Sequence, residues 1–263
     1  MVASRKKLEV PWGGQTSPSI RLDHDQHKPD FPPSYALHIS PAKDRRGDFS
    51  GDDFHSFQSL ILKEVISQLY EINPVRIHLP HALDDNQRYD FALVLPEPES
   101  QESINNRIRQ GIEDHFRVTV TREEHLLDVY VVTAPNGAPP EKARLPDPES
   151  FSGIKMGNVQ FQTPEAGAGP DEFVGFPKAV GISAICGIFV DGTADDLCRM
   201  LEMPLDRPVV NETNLQGQFA FRIKASAGDK NDFLERLRDE LNLTITMAQR
   251  RIEIVVLKPA ARI

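Results

Sequence analysis

Two stretches of the sequence share one apolar pattern: RIRQGIEDHFRVTVTREEHLLDVYVV, from Arg107 to Val132, and DFLERLRDELNLTITMAQRRIEIVVL, from Asp232 to Leu257. They align at a constant shift of 125 residues, as from Leu127 to Ile252. Apolar residues spaced by four predict a helix, and alternating apolar residues predict strands. The shared apolar pairs are Ile108/Phe233, Ile112/Leu237, Phe116/Leu241, Val118/Leu243, Val120/Ile245, Leu127/Ile252, Val129/Ile254 and Val131/Val256.

The polar groups Arg122–His125 and Ala248–Arg250 interrupt the two alternating runs, which predicts a hairpin at each place. Upstream, the alternating residues Tyr89, Phe91 and Leu93 recur as Phe219, Phe221 and Ile223 at a shift of 130 residues. The sequence therefore predicts an internal duplication. Each copy is expected to run helix–strand–strand–helix–hairpin.

Other elements follow from the same periodicities. We predict strands at Tyr35–Ile39, Val75–His78, Pro208–Val210 and within the apolar run Ile182–Val190, and a helix over Ser59–Glu71. Thr193-Ala-Asp-Asp196 has the form of a capping box, which starts a helix.

These elements predict an α+β fold of two tandem two-layer sandwiches, because each sheet needs helices to cover its apolar face. We expect a flexible tail at residues 1–33, a first module at 34–133 and a second at 171–260. Between the modules, five prolines from Pro135 to Pro148 predict a linker or surface loop over 134–170, with a strand at 154–161.

The overall composition excludes several classes of function. A net charge of −9 disfavours nucleic acid as a partner, because binding phosphates needs clustered lysine and arginine. No apolar run is long enough to cross a bilayer, and no secretory leader follows the basic Arg5–Lys7. Two locations stay open: the cytoplasm, or export with a leader already removed.

Chemically reactive clusters are few. His78 and His81 with Asp84 and Asp85 are candidates for a metal or acid–base site, although a turn explains these residues better. Asp23-His-Asp-Gln-His27 is a weaker metal candidate in the predicted tail. No catalytic or cofactor-binding motif occurs, so we expect no enzyme activity and no cofactor.

Two single features of the sequence leave alternatives open. Cys186 and Cys198 are the only cysteines. Buried free thiols, Cys186 in a strand and Cys198 on a helix, are favoured over a disulfide between the two. The sole tryptophan, Trp12, either anchors a partner or packs back onto the domain.

Several segments resemble an uncharacterised family of proteins from soil bacteria, especially acidobacteria, known only as a domain of unknown function. They are Leu62–Tyr70, Val75–Ile77, Pro80, Arg88–Phe91, Arg107–Val132, Gly192–Leu197, Arg207–Val210 and Thr213–Gly217. The chain departs from the family at Asn214, where glycine is usual, and at Phe219–Phe221, which replaces a Tyr-Asp-Phe-like triplet. Each half is also similar to the short N-terminal domain of secretins and TonB-dependent receptors.

The resemblance implies a periplasmic or otherwise exported protein, sometimes fused to membrane zinc peptidases of the antibiotic-sensor type. It therefore implies a non-enzymatic interaction or scaffold protein whose partner is another protein or peptide. Exposed sheet edges or the groove between the modules would be the binding surfaces. The alternatives are the site at His78, His81, Asp84 and Asp85, or a ligand-sensing domain that regulates a peptidase.

Overall fold

The structure is a computed structural model that describes residues 28–42, 47–84, 86–137, 153–156, 159–162, 187–224 and 230–260. These residues form an α+β fold, as predicted. The strands are β1 (His38–Pro41), β2 (Gly47–Gly51), β3 (Phe54–Ile61), β4 (Ile77–His78), β5 (Arg88–Val94), β6 (Val118–Thr133), β7 (Gly153–Met156), β8 (Val159–Gln162), β9 (Gly187–Gly192), β10 (Val209–Asn211), β11 (Phe219–Lys224) and β12 (Thr244–Pro259). The helices are α1 (Leu62–Tyr70), α2 (Gln101–Phe116), α3 (Ala194–Leu205) and α4 (Lys230–Leu241).

The described strands form three sheets. Two are antiparallel, with the strand orders β1-β5-β3-β2 and β11-β9-β8-β7. The third has the order β10-β6-β12-β4, and its short end strands pair in parallel, β10 with β6 and β4 with β12.

The predicted hairpins are wrong, because β6 and β12 are each one unbroken strand. The polar group Arg122–His125 lies inside β6, and Ala248–Arg250 lies inside β12. Neither group contains the glycine, asparagine or proline that tight turns require. These residues lie instead on exposed or half-buried positions of a long strand.

Contacts divide the chain into two compact units, and the divisions fall inside β6 and β12. Unit 1 comprises Met1–Glu123 and Val255–Ile263, and unit 2 comprises Glu124–Ile254. Each unit therefore contains a piece of both long strands. The first piece of β6 and the last piece of β12 belong to unit 1, whereas the remaining pieces belong to unit 2.

The core of unit 1 lies between its helices and strands. α1 and α2 contribute the residues Leu62, Val65, Ile66, Leu69, Ile104, Ile108, Ile112 and Phe116. The strand residues Ile39, Phe57, Leu60, Ile77, Phe91, Leu93, Val118, Val255 and Leu257, with Leu95 directly after β5, complete the cluster. Val255 and Leu257 come from the C-terminal end of β12, so the last strand of the chain is part of the first unit's core.

The core of unit 2 is built in the same manner. Its buried residues are Val132, Leu197, Cys198, Leu201, Leu205, Val209, Leu237, Leu241 and Leu243. The Thr193 hydroxyl accepts a hydrogen bond from the Asp196 amide and the Asp196 carboxylate accepts one from the Thr193 amide, so the predicted capping box at the start of α3 is confirmed. The fully buried carboxylate of Glu202 accepts a hydrogen bond of 3.0 Å from the Val209 amide, which joins α3 to β10.

The order of elements recurs along the chain. β2-β3-α1-β4-β5-α2-β6 is followed by β8-β9-α3-β10-β11-α4-β12. Arg117 and Asn242, which are 125 residues apart, both adopt left-handed backbone conformations directly after α2 and α4. The 125-residue shift is thus reflected in local structure, while the duplication of a module stays a prediction.

Several boundaries differ from those predicted. The helix expected at Ser59 begins at Leu62, because Phe54–Ile61 forms β3, a strand that the sequence analysis missed. The segment expected as one strand at 154–161 contains two paired strands, β7 and β8. The strand expected at Val75–His78 begins with a 3-10 turn over Pro74–Arg76.

Candidate functional site

A groove with a volume of about 640 Å³ lies in unit 1, between α2 and the segment that leads into β1. One wall is the segment Tyr35–Leu37, and the other is the flank of α2. The residues that line the groove are Tyr35, Ala36, Leu37, Ser103, Asn106, Arg107, Gln110, Gly111, Asp114 and His115. The volume is within the range of about 300–1,000 Å³ that is usual for binding pockets.

Helical periodicity places the α2 residues along the groove. The Ser100 side chain caps the helix by accepting a hydrogen bond from the Ser103 amide. The helix buries its apolar stripe, Ile104, Ile108, Ile112 and Phe116, in the core. The residues that directly precede this stripe, Ser103, Arg107, Gly111 and His115, are half-buried and line the groove, and Asn106, Gln110 and Asp114 form its exposed rim.

The other wall is held by main-chain hydrogen bonds to β5. The Ser34 amide donates to the Val94 carbonyl at 2.7 Å, and the Ala42 amide donates to the Arg88 carbonyl at 3.0 Å. β1 lies between these two anchors and is the end strand of its sheet in the part of the chain that the structure describes. The wall Tyr35–Leu37 therefore leads directly into an edge strand.

Arg107 and Tyr35 form one end of the groove. The Arg107 guanidinium carbon lies 4.4 Å from the centroid of the Tyr35 ring, which is 55% exposed. Arg107 also donates two hydrogen bonds, of 2.9 and 2.7 Å, to the Glu99 carboxylate. Hydrogen bonds from Arg107 and Ser103 lower the pKa of Glu99. At this end of the groove, the Tyr35 ring therefore stacks on a guanidinium whose positive charge is balanced by Glu99. These contacts hold both side chains in place.

Gly111 permits the two walls to touch in the middle of the groove. A Cβ atom at Gly111 would lie 2.5 Å from the Cβ of Leu37, far inside van der Waals contact. Glycine within a helix costs stability relative to alanine, so its presence here has a packing reason. The missing side chain therefore allows Leu37 to pack closely against α2.

Gly111→Ala is expected to destabilise the protein although it improves helix propensity. The propensity gain is about 0.5–1 kcal/mol, whereas overpacking costs about 1–3 kcal/mol, so we expect a net loss of about 1 kcal/mol in the free energy of unfolding measured in urea. The double variant Gly111→Ala/Leu37→Gly removes the clashing Cβ. Its loss of stability should therefore be clearly smaller than the sum of the losses of the two single variants. Additive losses would contradict this account of Gly111.

Asp114 and His115 form the other end of the groove. The Asp114 carboxylate accepts a hydrogen bond of 3.0 Å from the Gln110 amide group, and no cation pairs with it in the described ranges. The half-buried His115 ring contacts Phe116 at a centroid distance of 4.8 Å, and burial lowers the pKa of His115. His115 is therefore uncharged at neutral pH and does not neutralise Asp114.

The lowered pKa of His115 predicts a pH dependence of stability. In the unfolded chain a histidine has its ordinary pKa of about 6.5 and binds a proton before folded His115 does. Stability should therefore fall as the pH is lowered through this value. The urea midpoint of the wild type should decrease between neutral and mildly acidic pH more steeply than that of His115→Gln. Equal slopes would show that His115 does not contribute.

A second polar cluster is centred on His55, which is 8% exposed in β3. Its Nε2 lies 2.9 Å from the Asp48 carboxylate on β2, and its Nδ1 lies 3.1 Å from the side-chain nitrogen of Gln101, the first residue of α2. A ring with its proton on Nε2 donates to Asp48 and accepts from Gln101 at Nδ1, so this arrangement satisfies both contacts. Because both ring nitrogens are engaged, His55 connects two strands with the start of α2. No motif in the sequence marks His55, so it was not predicted.

His78 and His81, two of the histidines singled out in the sequence, lie on the surface of unit 1. His78 ends β4 and is exposed, and His81 lies in the following turn and is exposed. Asp84 pairs with Lys63 at 3.3 Å, while Asp85 is outside the described residues. Among the described side chains, no three from His, Cys, Asp and Glu come together as a metal-binding group.

Other residues singled out in the sequence lie partly outside the ranges that the structure describes. The Asp23–His27 cluster, Trp12 and Cys186 are outside the described residues. The Cys198 side chain is 3% exposed on α3 and lies in the core of unit 2, as expected for a buried cysteine. In the described ranges, no helix combines the length and the apolar character that a membrane span requires.

Comparison with known proteins gives a family but no function. The chain matches no curated protein and no solved structure. Residues 63–257, more than half of the chain, match a family model described as a protein of unknown function, DUF3738. The match covers α2, which forms one wall of the groove, and confirms the resemblance to an uncharacterised family. This protein is therefore a member of the DUF3738 family.

Proposed function

We propose that the protein is a non-enzymatic binding module that holds an extended segment of another protein in the groove between α2 and Tyr35–Leu37. The groove itself carries the proposal: it lies between the flank of α2 and the segment Tyr35–Leu37, which leads into the edge strand β1. Edges of this kind recognise extended peptides through main-chain hydrogen bonds, and pockets beside them select side chains.

The residues of the groove fit recognition by contact. Tyr35 offers an exposed ring of low conformational entropy, which is typical of residues that dominate binding energy. Ser103, Asn106 and Gln110 offer polar groups along the helix flank. The stacking and ion pair of Arg107 hold the Tyr35 end in place before a ligand arrives, which reduces the entropy lost on binding.

The location that we propose is the bacterial envelope. The proposal rests on the resemblance to exported proteins and to the short N-terminal domain of secretins and TonB-dependent receptors. Fractionation of the source bacterium, with an antibody against the protein, tests it. Recovery in the periplasmic or membrane fraction supports the proposal, and recovery with the cytoplasmic enzymes contradicts it.

Selection from a random peptide library displayed on phage tests the proposed function. Peptides enriched on the full chain should bind with an affinity that falls about tenfold or more in Tyr35→Ala, since an anchor residue of an interface contributes about 2 kcal/mol. Leu126→Ala is the matched control, because Leu126 is 57% exposed but lies outside the groove. Equal losses in both variants, or no enriched peptide, would contradict the proposal.

A further inference from the structure

We propose that the bound segment carries a lysine or arginine that pairs with Asp114, about three residues away from an aromatic or apolar side chain that packs on Tyr35. This inference rests on the proposed function and names the partner of the same groove. It follows from the different electrostatics of the two ends of the groove.

The Asp114 end carries a negative charge that has no ion-pair partner among the described residues. Asp114 is exposed, its one hydrogen bond in the described residues comes from the neutral Gln110, and the neighbouring His115 is neutral at pH 7. A bound lysine or arginine would supply the missing counter-charge at the rim of the groove. Such rim pairs contribute mainly to specificity and to the rate of association.

The Tyr35 end has no net charge to satisfy. Glu99 already neutralises Arg107 through two hydrogen bonds, and the Tyr35 ring covers the guanidinium. The exposed part of Tyr35 therefore favours aromatic or apolar side chains, which gain contact area without burying an unpaired charge.

The spacing follows from the helix that carries both ends. Arg107 and Asp114 are seven residues apart, which is two helical turns and about 10 Å along α2. An extended chain rises about 3.3 Å per residue, so this length corresponds to about three residues of the bound segment. A helical segment would present its side chains with a different periodicity, which makes the prediction specific to an extended partner.

Parallel phage selections on the wild type, Asp114→Asn and Asp114→Lys test the inference. Wild-type selection should enrich a basic residue about three positions from an aromatic or apolar one. The best peptide should bind Asp114→Lys about tenfold more weakly, because one attraction is replaced by a repulsion. The affinity of the same peptide should depend much less on salt concentration for Asp114→Asn than for the wild type. Glu102→Gln is the matched control, since it removes an exposed charge of α2 outside the groove.

The outcomes of this experiment distinguish a failure of the inference from a failure of the proposed function. Peptides whose binding needs Tyr35 but shows no preference for a basic residue would overturn the inference and leave the proposed function standing. Peptides whose binding is unchanged by both Tyr35→Ala and Asp114→Lys would overturn both proposals, as would a selection that enriches nothing. Equal losses in Asp114→Lys and Glu102→Gln would show a general charge effect and overturn the inference.

Discussion

A chain truncated after Ile254 is expected to lose the folded structure of unit 1. The truncation removes Val255 and Leu257, which are 0% and 3% exposed in that core. It also removes the parallel partner of β4, which pairs with β12 at Ile77 and His78. Burial of the two side chains contributes about 1.5–3 kcal/mol each, and loss of the pairing adds to this, so the total approaches the whole stability of a small domain.

Urea denaturation and limited proteolysis measure this effect. The truncated chain should be cleaved rapidly within residues 47–123, while unit 2 keeps a cooperative transition. A chain that ends at Ala260 is the control and should match the full chain, since it retains β12 and the hydrogen bond from the Ala260 amide to the Arg117 carbonyl. Full stability of the shorter chain would show that the end of β12 is not part of the first unit.

Phe91→Ala is expected to lower the free energy of unfolding by about 3–5 kcal/mol, the usual cost of removing a buried aromatic side chain. Phe91 lies in the middle of β5 and is 0% exposed. Its ring packs near the rings of Tyr89 and Phe116, with centroid distances of 6.0 and 6.5 Å. The cavity would therefore open between β5 and the end of α2.

Tyr35→Ala is the matched aromatic control for this stability measurement. Its ring is largely exposed and its one ring contact in the described residues is with Arg107, so the loss in urea should be at most about 1 kcal/mol. Phe91→Ala should thus affect folding, and Tyr35→Ala should affect binding. A loss for Phe91→Ala below that of Tyr35→Ala would contradict the assigned core.

Helices were predictable from the sequence because their apolar spacing matches burial residue by residue. Ile104, Ile108 and Ile112 predicted α2, and all three are buried. The long strands were not predicted, because a polar interruption in an alternating run has two explanations: a turn, or an exposed stretch of a continuous strand. The lack of turn-forming residues in Arg122–His125 is the signal that favours the continuous strand.

β3 was missed for a different reason. Phe54–Ile61 contains a bulge between Phe57 and Leu60, and Ser59 has a positive φ of 52°. A bulge shifts the alternation by one residue, so the period-2 pattern breaks and Leu60 falls in register with the helix that follows. The strand and the helix therefore appeared as one longer helix.

The groove could not be found from sequence motifs, since its two walls are about 70 residues apart in the chain. One signal was present: Gly111 interrupts the pattern of α2 without ending the helix, which indicates a close contact at that position. The sequence does not identify Leu37 as the contact. His78, His81, Asp84 and Asp85 form a candidate site in the sequence because their residue types are reactive. The groove consists of ordinary surface residues in an uncommon arrangement.

Photo-crosslinking tests whether the groove is the binding surface. A photoreactive phenylalanine replaces Tyr35 in one full-length variant and Leu126 in another, and each is irradiated with a peptide selected on the wild type. Binding in the groove predicts an adduct from position 35, competed by unlabelled peptide, and none from position 126. An adduct from position 126 alone, or equal adducts from both, would show that the protein binds its partner elsewhere.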